Sequence, residues 1–218
     1  MRWAAGAASM AAEGEPKALA MPPMLRRRAG RQVRMAFEAA HACVQGRKNI
    51  PVVFCSRHGE VRRSIEILEP LARDEAISPA AFSLSVHNAI SGLYSIASAD
   101  TAPMTALAGG ADGAAQGLIE ACAQVAAGAE EVLLVVYDEP LPEIYQAYRD
   151  APESAFAWAW LITAPTAKAY AWSWQTSLAE IPAPTEAFGL RLLRCFLSDA
   201  EQQVLPAQGK QWHWRRHA

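Results

Sequence analysis

No run of apolar residues approaches the ~18 that a membrane-spanning helix needs, and the sequence predicts no membrane span. Residues 1–14 are rich in alanine and carry a single arginine, Arg2. They lack the strongly hydrophobic stretch of a secretion signal, so a cytoplasmic location is expected. Cysteine is scarce: Cys43, Cys55, Cys122 and Cys195 are far apart, with no C-x-x-C pair and no histidine at ligand spacing. That pattern excludes a sequence-readable metal site or disulfide framework, and the four read as small buried hydrophobes in a reducing compartment. No G-x-x-x-x-G-K-[ST] occurs, and no G-x-G-x-x-G follows a strand to open a helix. Gly109-Gly110-x-x-Gly113 lacks the phosphate-binding lysine, so no nucleotide or other cofactor is expected. A net charge of −2 gives no reason to expect a nucleic-acid partner.

What is present is a globular composition, 52% apolar against 19% charged, in 218 residues. That is enough for one domain with a sizeable core, taken as 1–218 with a weakly patterned N-terminus over 1–20. Arg2-Trp3-Ala4-Ala5 resembles the remnant of a first strand. Arg26, Arg27, Arg28, Arg31 and Arg34 cluster ahead of a helix. Their plainer reading is a solvated helix start, and their sharper one a phosphate or acyl-carrier contact. Val33, Phe37, Ala40 and Val44 predict a helix over 30–45, stopped by Gly46. Val52-Val53-Phe54-Cys55 reads as a strand buried on both faces. Val61, Ile65, Leu68 and Ala72 form one face of the next helix, which Pro70 bends or ends. Ser78 and Pro79 start another element. From Val86 the apolar spacing is helical, with His87, Ser91 and Tyr94 toward the other side. Leu118, Cys122 and Val125 are read as a helix's apolar face, ended by Gly128. Residues 131–137 form the strongest strand signal, and Asp138 to Glu143 read as a solvated acidic loop.

The last third alternates large and small residues. Phe156, Trp158 and Trp160 face away from Ala155, Ala157 and Ala159, and Tyr170, Trp172 and Trp174 repeat the pattern. Each is a period-two strand, their aromatic faces either paired across strands or covered by a helix over 186–197 with Phe188, Leu192 and Phe196. Trp212-His213-Trp214 reads as a last edge strand. The order, α-β-α-α-β-α-β followed by two strands, a helix and a strand, argues for an α/β layered fold.

The chain is organised around Met104 to Gly117. An apolar run meets Gly109-Gly110, and a helix of small residues starts at Ala111. Strand, tight turn and helix is the geometry of a nucleophile elbow. Its tip residues would be Leu107 and Ala108, and neither can attack a substrate. A second candidate is Ser56-Arg57-His58-Gly59-Glu60, a polar loop at a strand's C-terminal end, where α/β folds place ligands. The plainer reading of that loop is a cap on the following helix.

Three blocks resemble β-ketoacyl-synthase-like proteins: Pro22-Pro23-Met24-Leu25-Arg26-Arg27-Arg28 with the following helix, Phe82-Ser83-Leu84-Ser85-Val86-His87-Asn88-Ala89, and Thr105-Ala106-Leu107-Ala108-Gly109-Gly110. Active ketosynthases read Thr-Ala-Cys-Ala-x-Gly at the third. The strand ending Tyr137-Asp138-Glu139-Pro140-Leu141-Pro142 resembles the short ketosynthase-like subunits called chain-length factors, of the aryl-polyene type. The resemblance implies a thiolase-like α/β fold, about one half of the ketosynthase duplication plus a Trp-rich C-terminal extension. It places Leu107 where the nucleophilic cysteine stands. The two histidines of the H-G-T-G-T and K-x-x-x-G-H contexts are missing, so the resemblance implies no catalytic residues and no condensation by this chain alone.

The same resemblance implies a partner. In that family the strand before the nucleophile turn pairs with its counterpart across the dimer two-fold. Met104, Thr105, Leu107 and Ala108, with His87 and Asn88, are therefore the expected interface or tunnel residues toward an active ketosynthase. Acyl carrier protein is a further expected contact. Two alternatives stay open: a small enzyme using Cys55 or Ser56 with Arg57 and His58, and an aromatic-lined binder of acyl or aryl ligands.

Overall fold

Two strands that are apolar at nearly every position form the centre of the first sheet. They are β1, Val52–Cys55, and β3, Glu131–Asp138. The structure, a computed structural model, describes residues 14–149, 151–166, 169–177, 184–198, 200–207 and 209–217. The strand expected at Arg2–Ala5 lies outside the described residues. β1 lies parallel both to β3 and to β2, Met104–Leu107, while β4, Phe156–Thr163, runs antiparallel to β3. The order is β2-β1-β3-β4. Each strand in the middle of a sheet covered on both sides must bury both faces, and this explains the unbroken apolar runs.

On one face lie α2, Arg31–Val44, and α5, Ala89–Ser98. Val33, Phe37, Ala40 and Val44 of α2 meet Phe54, Val135 and Tyr137 of the sheet. Ala157 and Ala159 of β4 also face this layer and leave room for α2. Tyr94, expected on the outer side of α5, is instead buried, edge-on to Phe54 with ring centroids 5.4 Å apart. The weakly patterned N-terminus is anchored by Ala18 and Met21, both buried, and Glu38 accepts from the Ala18 N–H at 2.6 Å. The short helix α1, Pro23–Arg28, follows.

On the other face lie α6, Gly113–Ala126, and α7, Phe188–Leu197. Beyond them is a second sheet of β5, Tyr170–Thr176, β6, Gln202–Ala207, and β7, Lys210–Arg216. One core joins the facing sides of both sheets through Leu118, Leu134, Trp158, Leu192, Trp212 and Trp214. The four layers are therefore helix, sheet, helix, sheet.

Tight contact between layers depends in part on a glycine in α6. A Cβ on Gly117 of α6 would stand 3.0 Å from the Cys55 Cβ and 3.1 Å from the Leu134 Cδ1. Its absence lets the helix sit directly on the strands.

Two expectations are corrected, and the two readings of the aromatic faces are assigned to different strands. β7 is the central strand of its sheet, not an edge, because β6, which the sequence did not suggest, pairs with its other side. The aromatic faces of β4 and β5 do not pair with each other: α7 covers that of β4, while that of β5 pairs across strands with β7, Trp172 opposite Trp214 and Trp174 opposite Trp212. The two strands belong to different sheets, with Phe196 of α7 between them, 4.8 Å from Trp160 and 5.2 Å from Tyr170. Cys122 is exposed, because the buried stripe of α6 is Ala114, Leu118 and Ala121.

Candidate functional site

The elbow forms as strand, turn and helix. β2 ends at Leu107, a 3₁₀ turn spans Gly110–Asp112, and α6 follows. The left-handed conformation falls on Gly110, with φ +70°, and not on Leu107 or Ala108. Register places Leu107 beside Cys55 and Met104 beside Val52. Because strand residues alternate, Leu107 packs toward the α6 layer and Met104 toward the α2–α5 layer. Thr105 shares the α6 side, and its hydroxyl accepts from the Gln124 amide at 3.3 Å. Ala108 is exposed. β2 is an edge strand of the described sheet, paired only with β1.

His87 and Asn88 immediately precede α5. His87 packs on Gly59, whose added Cβ would stand 2.4 Å from the His87 Nδ1. Asn88 is exposed at the N-terminal end of α5. The surface near them is rich in apolar side chains. The face predicted for α3, Val61–Ala72, is poorly covered: Ile67 is its buried residue, while Leu68 and Leu71 are exposed. Ile77, Phe82, Val86 and Ile96 are exposed as well. Phe82 closes the short α4, Pro79–Phe82, whose N-cap Ser78 accepts from the Ala81 N–H.

The polar loop after β1 lines a cavity of about 380 Å³. Its floor includes Cys55, Val136 and Phe156, and its walls include the turn before α6, the start of α7 and the end of β6. Asp138 is not part of a solvated loop. Its Oδ1 accepts from the Ser56 hydroxyl at 2.9 Å and from the Arg57 N–H at 2.8 Å. Burial pushes its carboxyl up to about 6, against the lowering effect of those hydrogen bonds. Ser56 also accepts from the Gly59 N–H at 2.9 Å, so this hydroxyl pins the loop. The sequence held a signal for this pair: two buried strands each end in a polar residue, and parallel register brings such ends together.

Cys55 is unsuited to nucleophilic attack. Burial pushes its thiol up to about 12, and its Sγ donates to the Gly113 carbonyl at 3.1 Å. His58 lies 4.0 Å from Glu153, which also pairs with Arg149 at 2.8 Å. Nearby, burial raises Glu60 to about 7 although Arg63 pairs with it at 2.9 Å. Among the described residues no group of three or more His, Cys, Asp or Glu side chains is placed to hold a metal ion. No described helix is long and apolar enough to cross a membrane.

The tryptophan ladder is core at Trp158, Trp212 and Trp214, while Trp174 is exposed. Trp172 stacks on Trp212 at 5.3 Å, and the Trp212 indole donates to Asp112 at 3.0 Å.

Comparison with solved structures gives a chain of the ketosynthase (ApeO) in complex with its chain length factor (ApeC) from Xenorhabdus doucetiae. It is 29% identical, with a TM-score of 0.86 over 98% of this chain and 90% of that one. A β-ketoacyl synthase from Burkholderia phymatum STM815 shares the fold at 13% identity, with a TM-score of 0.53 over 64% of this chain and 38% of that one. No curated protein matches. The family described as β-ketoacyl synthase, N-terminal domain, matches residues 1–215, and the chain belongs to that family.

Proposed function

We propose that the chain is a non-catalytic ketosynthase-like subunit, a chain-length factor that pairs with an active β-ketoacyl synthase in aryl-polyene-type fatty acid or polyketide biosynthesis. The observation that carries this reading is Leu107 at the end of β2, where an active ketosynthase has its cysteine. A leucine side chain has no nucleophilic atom, and Cys55 beside it is a buried, protonated thiol. The likeness to a chain of a ketosynthase–chain-length-factor complex supports the same reading.

The partner docks along the open edge of β2. The exposed apolar side chains of α3, α4 and α5 extend that contact. Permanent interfaces of this kind bury roughly 2,000–5,000 Å². Leu107, on the α6 side, lies toward the partner's acyl tunnel, while Met104 supports the strand from the other face. Arg27 and Arg28, exposed at the end of α1, receive the acidic surface of an acyl carrier protein.

The test is co-expression with the cognate ketosynthase. A single co-eluting species is expected on size exclusion, and separate elution refutes the pairing. In the complex, Leu107→Trp should shorten the product. Leu107→Cys should not give the isolated chain condensing activity.

A further inference from the structure

The 380 Å³ cavity falls within the range of small-molecule sites, roughly 300–1,000 Å³. Its acidic groups are already engaged. Glu186 is held by Arg194 at 2.9 Å, Glu153 by Arg149 at 2.8 Å and Glu139 by Arg31 at 3.5 Å. Asp138 is held by Ser56 and the Arg57 N–H. Arg191, on the first turn of α7, also lines the cavity, and no hydrogen bond or ion pair engages its guanidinium among the described residues. That guanidinium lies 5.7 Å from the centroid of the Phe188 ring. Burial lowers its pKa, and the charge interactions with Cys195 and Glu186 offset this only in part.

The apolar part of the wall is aromatic and fixed. Phe156 rests on Gly189, where an added Cβ would stand 2.7 Å from the Phe156 Cζ. The Trp158 indole donates to the Gly189 carbonyl at 3.0 Å and holds that turn of α7.

We propose that this cavity binds a small monocarboxylate with an apolar body, the carboxylate on Arg191 and the body against Phe156 and Phe188. A planar carboxylate matches the guanidinium fork. The proposal does not depend on the pairing proposed above.

The test titrates benzoate, acetate and benzamide into the full chain and follows the Trp158 indole resonance by NMR. Benzoate should give a saturable shift, acetate a weaker one and benzamide none. Arg191→Met should weaken benzoate by about tenfold or more, with Arg191→Lys intermediate. The proposal is overturned if benzoate and benzamide behave alike, if benzoate does not saturate, or if Arg191→Met binds as the native chain does. If the methionine variant does not fold, the native benzoate–benzamide comparison and the lysine variant still decide.

Discussion

Replacing Asp138 by asparagine tests whether burial dominates at the joined ends of β1 and β3. The native carboxyl is pushed from 3.8 up to about 6. A raised acid pKa means that the folded state holds the proton more tightly. The stability this group contributes is therefore complete below pH 3.8 and lost as pH rises through about 6. The gap corresponds to at most about 3 kcal/mol at neutral pH. Asparagine keeps an Oδ1 acceptor for the Ser56 hydroxyl and the Arg57 N–H, but carries no charge. Asp138→Asn should match the native chain in acid and exceed it by about 2–3 kcal/mol at neutral pH. For a chain of this length that is a Tm gain of roughly 5–10 °C. Thermal unfolding followed by circular dichroism at a series of pH values reads the difference directly. A constant offset across pH, or a variant less stable than native at neutral pH, refutes the reasoning. The first would mean that hydrogen bonding and desolvation of the carboxylate cancel, and the second that its hydrogen bonds outweigh its desolvation.

Other outcomes follow from single contacts. Gly59→Ala places a Cβ against His87 at φ +59° and should cost about 2–4 kcal/mol, read as a lower urea midpoint. Trp212→Ala empties a fully buried site and removes a donor to Asp112; a loss of about 3–5 kcal/mol is expected from urea unfolding. Iodoacetamide should label exposed Cys122 first in the native chain and Cys55 last, as read by mass spectrometry of peptides. Early labelling of Cys55 would contradict its burial.

Much of the layered fold is legible in the sequence because local patterns and burial coincide. The 30–45 helix, the apolar strands and the large–small alternation of β4 each carry their own period. The turn at Leu107 is legible for the same reason: a strand, two glycines and a helix of small residues are adjacent in sequence. Other features have no local signature. β6 alternates weakly and is a strand because β7 supplies its hydrogen bonds. Asp138 reads locally as the start of a solvated loop because its partner, Ser56, is 82 residues away. The apolar face of α3 promises burial, yet Leu68 and Leu71 remain exposed.

By itself the sequence determined most of the strand and helix segments, β6 excepted, and that Leu107 leaves the turn without a nucleophile, since periodicity and side-chain chemistry are local properties. Tertiary structure decided which strand is central and which is an edge. It also decided which faces stay uncovered and that Arg191 ends in a cavity whose carboxylates already have partners. Those outcomes depend on register and packing between distant segments, and no window of sequence contains both partners.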